Sequence, residues 1–368
     1  MRSVPTTQSS IVFMTALAAA FPAVAQENAI ETRISALEAE IDRLSFGSGT
    51  EVEIYGYVKG DLIYDLDTDL GTTIFGLANL TPGSKTGSNF TGQAYQSRLG
   101  FRATTPTADG DFFVRVEGDF FGDGGGSFRL RHAYGEYRGF LVGQTWTNFM
   151  PIESYPGTLD FQGPAGIPFA RKAQLRYSLD IGNGLGASFS IEEPAGNSDS
   201  PAATAALFYS GETYFVKLAA LATTIDFNGR SFDGYGVNLS GNAQLWEGGS
   251  VQASFTTGEA ISSYMVFGGA DVISLAGGDR AVETTGVTLG VSQDLGERFS
   301  LGLAYGLREI DQGNAGDTES LETVHVGLRY TPVENVTFGI EYIAGTRDTF
   351  GGGSVSADRV QAAAQFSF

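Results

Sequence analysis

The sequence predicts an all-β fold, a transmembrane up-and-down antiparallel β-barrel of about 16 strands preceded by a short N-terminal coiled-coil helix. Three observations carry this. From Glu51 onward apolar and polar residues alternate with period two, which puts one set on each face of a strand. The alternating runs are long: soluble strands cluster near about 5–6 residues, a tilted strand crossing a bilayer needs about 9–11, and most of these runs reach the longer figure. Short turns also alternate with longer polar loops, the pattern of a barrel with one elaborated rim.

Composition narrows the function. Hydrophobic residues are 42% and charged residues 17%, with 51 glycines and 27 phenylalanines, which excludes a disordered tail. A net charge of −20 argues against a nucleic-acid partner, whose phosphates need an excess of cations. There is no cysteine, so neither disulfides nor thiolate metal sites are available.

In chain order, residues 1–25 read as a signal peptide. Arg2 supplies the positive end, Ile11 to Phe21 an apolar run broken by Thr15, and Ala23-Val24-Ala25 a cleavage pattern before Gln26. The run is shorter than the roughly 20 residues of a spanning helix. Residues 26–46 read as a periplasmic coiled-coil helix, because Ile30, Ile34, Leu37, Ile41 and Leu44 form a heptad seam. Arg33 and Glu38 take g and e positions suited to an interchain ion pair. So short a seam is unstable alone in water, so self-association needs a second interface. Residues 47–50 are a linker, and 51–368 the barrel.

The candidate strands are 51–66, 91–104, 110–120, 127–138, 139–146, 171–180, 184–193, 203–211, 212–224, 232–245, 249–259, 282–294, 297–309, 320–332, 335–347 and 356–368. Late strands indicate which face meets lipid. Phe299, Leu301, Leu303, Tyr305 and Leu307 alternate with Ser300, Gly302, Ala304, Gly306 and Arg308. The small and polar set suits a water-filled lumen, and closure lets a sheet satisfy its backbone in lipid. Tyr305, Tyr330, Tyr342 and Phe368 suit the interfacial girdles. The stretch ending at Phe368, with Val360, Ala362, Ala364 and Phe366 on the same face, resembles the strand read by the barrel assembly machinery of bacterial outer membranes.

Several stretches resemble the DcaP-like family of trimeric outer-membrane porins. They are Tyr55-Gly56-Tyr57-Val58-Lys59, Gln96-Ser97-Arg98-Leu99-Gly100-Phe101, Val116 to Gly122, Phe128 to Glu136, Val142 to Trp146, Asp160 to Gly166 and Gln174 to Tyr177. The resemblance is strong over about residues 50–180 and general beyond. It implies a sixteen-stranded homotrimer in the outer membrane that passes small anionic solutes, dicarboxylates in particular.

The residues support such a channel independently. Arg98, Arg102, Arg115, Arg129, Arg131, Lys172 and Arg176 fall on the expected inner face within five neighbouring candidate strands, with Lys59 on the strand before. Rings of arginine and lysine select anions in pores, and the guanidinium fork binds a carboxylate bidentately. Some of these side chains would instead hold the inward acids Glu117, Asp119 and Glu136. The loop 147–170 is unusually apolar, so it is expected to fold inward as a constriction, with Glu153 and Asp160 opposing the basic wall.

Other chemistry finds little footing. His132, placed on the apolar register, and His325 are the only histidines and make no metal site. The Asp65-x-Asp67-x-Asp69 run lacks the glycine and closing glutamate of a calcium loop. The expectation is a passive diffusion porin, not an enzyme, with no cofactor or metal. The alternative is a structural or adhesive barrel with a plugged lumen, which reconstituted conductance would distinguish.

Overall fold

Period-two patterning produces strands throughout residues 51–368. The structure, a computed structural model, describes Arg33 and residues 49–368. The expected signal peptide, and the coiled-coil helix apart from Arg33, lie outside the described residues. The first half of the barrel comprises β1 (Glu51–Asp65), β2 (Asn89–Gln93), β3 (Arg98–Thr105), β4 (Phe112–Gly122), β5 (Ser127–Tyr137), β6 (Phe140–Trp146), β7 (Arg171–Gly182), β8 (Leu185–Glu192) and β9 (Ala202–Ser210). β10 (Tyr214–Phe227), β11 (Arg230–Trp246) and β12 (Gly249–Glu259) follow. A loop hairpin of β13 (Val272–Leu275) and β14 (Gly278–Ala281) pairs only with itself. The wall resumes with β15 (Glu283–Leu295), β16 (Phe299–Ile310), β17 (Thr318–Val333), β18 (Val336–Thr349) and β19 (Gly353–Ser367).

β2 and β3 share one place in the wall, since β2 pairs with Asp61–Asp65 and β3 with Glu51–Tyr57. The barrel therefore has sixteen antiparallel strands. β19 pairs with β1 to close it, and Gly56 and Phe368 exchange both backbone bonds at 3.0 Å. Closure leaves no edge to desolvate.

The sequence-predicted strand at 91–104 is interrupted at 94–97, where Phe120 donates its backbone N–H to Tyr95 (3.0 Å) and Lys59 donates its own to Ser97 Oγ (3.0 Å). The predicted loop 260–281 contains the β13–β14 hairpin, whose four-residue arms are too short to register as an alternating run.

The predicted faces hold on the late strands. Leu301, Leu303, Val326 and Leu328 are exposed on the outside, whereas Ala304, Thr323 and His325 are buried inside. What covers the inner face differs from the expectation of water. A Cβ on Gly306 would lie 2.3 Å from Ala165 O, and one on Gly286 would lie 2.1 Å from Gly166 O. These glycines seat the backbone of segment 147–170. Gly166 itself has φ of +86° and approaches the wall closely; a Cβ there would lie 2.2 Å from Leu307 O. The small residues on this side therefore act as a docking bed for inward loops. Ile74, Leu77, Ile167, Val266, Leu321 and Ile343 belong to an apolar cluster inside the barrel.

Candidate functional site

The basic side of the lumen is built by β3, β4 and β5. Register sets Arg98 and Arg129 on either side of Asp119. The alternation then turns Arg115, Glu117, Asp119 and Arg131 to the same interior. Tyr55 lies across Gly100, where a Cβ would be 2.4 Å from its ring. That position lets its hydroxyl accept from Arg115 Nε (2.7 Å) and donate to Glu117 (2.9 Å).

Two buried carboxylates organise the guanidiniums. Glu117 receives Arg131 Nε at 2.9 Å, lies 3.3 Å from Arg98 Nε and also pairs with Arg115. Asp119 accepts from Arg129 Nε and Nη2 (3.0 and 2.8 Å) and from Arg131 Nη1 (2.9 Å). Glu117 and Asp119 side chains are at most 1% exposed, while those of Arg98, Arg115 and Arg129 are 22%, 32% and 36% exposed. The acids are thus sealed while edges of the guanidiniums still face the interior space. Bidentate pairing fixes the direction of each fork as well as its charge.

A further cation joins them. Arg171 lies with its Cζ 4.0 Å from the centroid of Trp146 and 5.9 Å from that of Phe169. Its Nε and Nη2 are buried without hydrogen-bond partners. Five guanidiniums, those of Arg98, Arg115, Arg129, Arg131 and Arg171, therefore accompany two carboxylates, those of Glu117 and Asp119, a surplus of three positive charges. Arg171 was missed in the sequence because it is out of phase with the inward series Lys172, Gln174 and Arg176. Its neighbour Trp146, its register partner at the end of the β6–β7 ladder, was the available signal.

A cavity of about 480 Å³ lies against this wall. Arg98, Arg115 and Arg131 line it, and Tyr155, Asp160 and Phe161 of segment 147–170 line it too. Arg129 stacks nearby over the rings of Phe121 (5.8 Å) and Phe161 (5.4 Å). Three of the sequence-predicted cations sit apart from this cavity. Arg102 makes a bidentate pair with Glu53, both bonds 2.6 Å, in a half-exposed position. Lys172 donates to Pro194 O at 2.9 Å. Arg176 donates to Gln174 Oε1 at 2.8 Å and to Trp146 O.

The placement of His132 on the apolar register is corrected by the structure. The β4–β5 register shifts, so that Glu117 faces His132 while Gly118 faces Leu130. The extra residue turns both Arg131 and His132 inward, each 3% exposed. His132 Nδ1 is 2.9 Å from Thr145 Oγ1, and its ring meets Trp146 edge-on.

Segment 147–170 is held at many points. At one end Asn148 donates its backbone N–H to Glu192 (2.8 Å), and Lys217 Nζ donates to Met150 O (2.9 Å). Asn242 Nδ2 donates to the carbonyl of Glu153 at 2.6 Å. Further along, Glu341 accepts from the backbone N–H groups of Leu159 (2.7 Å) and Asp160 (3.1 Å). Lys59, salt-bridged to Asp61 at 2.9 Å, donates to Leu159 O at 2.7 Å. The Asp160 carboxylate accepts from Ile74 N (2.9 Å) and lies 3.6 Å from Arg359. Ala165 N donates to Thr323, and Thr288 donates to Ala165 O. Apart from Ile74, between β1 and β2, these partners stand on β1, β8, β10, β11, β15, β17, β18 and β19, so the segment runs across the interior.

Residues 26–192 match the family model described as DcaP outer membrane protein. Among solved structures, the crystal structure of the outer membrane channel DcaP of Acinetobacter baumannii matches with a TM-score of 0.80 and 27% identity, over 87% of this chain and 98% of that one. The anion-selective porin from Comamonas acidovorans matches with a TM-score of 0.61 and 17% identity, over 87% and 100% of the two chains. The trimer form of in-vitro folded OmpT from Vibrio cholerae gives 0.60 and 13%, over 87% and 100%. At such identities the last two show the fold alone. No curated protein matches the sequence. Residues 26–192 are thus similar to the DcaP outer membrane protein family, and over most of its length the chain has the porin-like channel fold of an outer-membrane β-barrel.

Proposed function

We propose that the protein is a passive outer-membrane porin for small hydrophilic anions, organic acids and dicarboxylates in particular, working as a homotrimer without reaction or cofactor. The observation that carries this reading is the guanidinium surplus beside the cavity. Arg98, Arg115, Arg129 and Arg131 are held by Glu117 and Asp119, and Arg171 has no hydrogen-bonded acid of its own. An anion entering this space exchanges its water for oriented forks. Segment 147–170 narrows the passage from the other side. The anion-selective porin and the trimeric barrel among the structural matches share the fold that this reading requires. In the cell the N-terminal helix would lie in the periplasm, lipid would cover the outward apolar face, and the barrel assembly machinery would read the strand ending at Phe368.

A second reading has its own support. The inward loops build apolar clusters that fill part of the barrel, as a plugged structural or adhesive barrel would require. Reconstituted trimers in a planar bilayer decide between the two. The porin reading expects stepwise conductance that falls when succinate is added; a barrel without steps would establish the plugged alternative. Steps indifferent to succinate would leave a porin but remove the dicarboxylate preference.

A further inference from the structure

A second basic feature lies away from the arginine wall, on the glycine-rich side. Arg308 of β16 is 2% exposed, among the largest fully enclosed side chains of the barrel. Its Nε and Nη1 are buried and have no hydrogen-bond partner. This is unusual for a guanidinium, since buried cations are nearly always paired. The nearby Arg347 offers a contrast: its guanidinium donates to Thr318 Oγ1 (2.8 Å), Leu80 O (2.6 Å) and Gly316 O (2.9 Å).

Arg308 lines a cavity of about 620 Å³ beneath the long loops. Phe75, Phe227 and Phe267 supply apolar walls, and the rings of Phe75 and Phe267 stack 5.7 Å apart with planes 11° from parallel. The one acid in the lining, Asp317, already accepts from the backbone N–H of Asn314 at 2.7 Å. The cavity therefore combines a free buried fork with flat apolar surfaces.

We propose that this cavity is a binding site for a small carboxylate with an aromatic or similarly apolar body, its carboxylate on Arg308 and its body among the phenylalanines. A single fork takes one carboxylate bidentately, and the surrounding rings favour a flat apolar body. The site is separate from the arginine wall and does not depend on how the lumen selects ions. It would hold such solutes at the loop end of the barrel, where the net charge of −20 otherwise disfavours anions.

Benzoate binding to purified trimers in detergent, measured by calorimetry, tests this, with benzamide as the neutral isostere. Benzoate should bind at least tenfold more tightly than benzamide, and Arg308→Gln should weaken it at least tenfold. Ala270→Trp, at an exposed loop residue of the cavity lining, should abolish binding by filling the space while leaving Arg308 in place. It serves if the Arg308 variant fails to fold. Succinate block of conductance should be unchanged in Ala270→Trp, which separates this site from the arginine wall. Equal binding of benzoate and benzamide would overturn the proposal. So would benzoate binding that survives both substitutions, or that disappears only when Arg98 or Arg131 is replaced.

Discussion

The two sides of this barrel use the same alternating pattern to opposite ends. On β3 to β5 the inward positions carry Arg98, Arg115, Arg129 and Arg131 around Glu117 and Asp119, and the charged edges keep a cavity open. On β15 and β16 the inward positions include Gly286 and Gly306, and the backbone of segment 147–170 lies directly on them. Long charged side chains hold a loop at a distance, whereas absent side chains let its peptide groups reach the wall. One inner wall is therefore charged and shares a cavity with segment 147–170, and the other is covered by that segment directly.

The sharpest way to break the contrast is to disturb the charged side. Arg131 joins both acids and is almost fully enclosed. Arg131→Leu leaves Glu117 and Asp119 each short of a partner, and by the usual cost of breaking a buried pair should destabilise the barrel by about 3–5 kcal/mol. Denaturant unfolding of the refolded protein in detergent would measure this. A loss within the error of the fit would mean the remaining arginines hold the acids unaided.

On the covered side, Gly306→Val drives a Cβ into the backbone of Ala165. Overpacking of this kind costs about 1–3 kcal/mol, and relief comes by moving the loop off the wall. Single-channel conductance should fall, because the loop is displaced toward the arginine wall; an unchanged conductance would show that segment 147–170 does not narrow the passage.

Arg171→Gln should have little effect on stability, because no hydrogen-bonded acid is stranded by its removal. It should reduce the anion-to-cation permeability ratio about threefold, in keeping with the role of basic rings in pores. A ratio equal to that of the parent protein would assign Arg171 to packing against Trp146. Arg102→Gln should do least, since its pair with Glu53 is half-exposed and lies apart from the cavity. A drop in permeability ratio as large as that of Arg171→Gln would place Arg102 on the solute path.

Strand positions, faces and closure were legible in the sequence because period-two patterning and strand length are local properties. The basic wall was legible for the same reason, at Arg98, Arg115, Arg129 and Arg131. Strict alternation failed where the backbone departed from it: at the bulge that turns His132 inward, at the break over 94–97, and at Arg171, which ends a ladder out of phase. The role of the glycines was hidden for a different reason. Whether a small inward residue faces water or another segment depends on a partner more than a hundred positions away, as Gly306 does on Ala165.

In the proposed porin the charged side governs which ions pass. The reversal potential of reconstituted channels under a potassium chloride gradient tests it most directly. The expected potential has the sign of chloride selectivity and is reduced in Arg171→Gln. A reversal potential with the sign of potassium selectivity would contradict it.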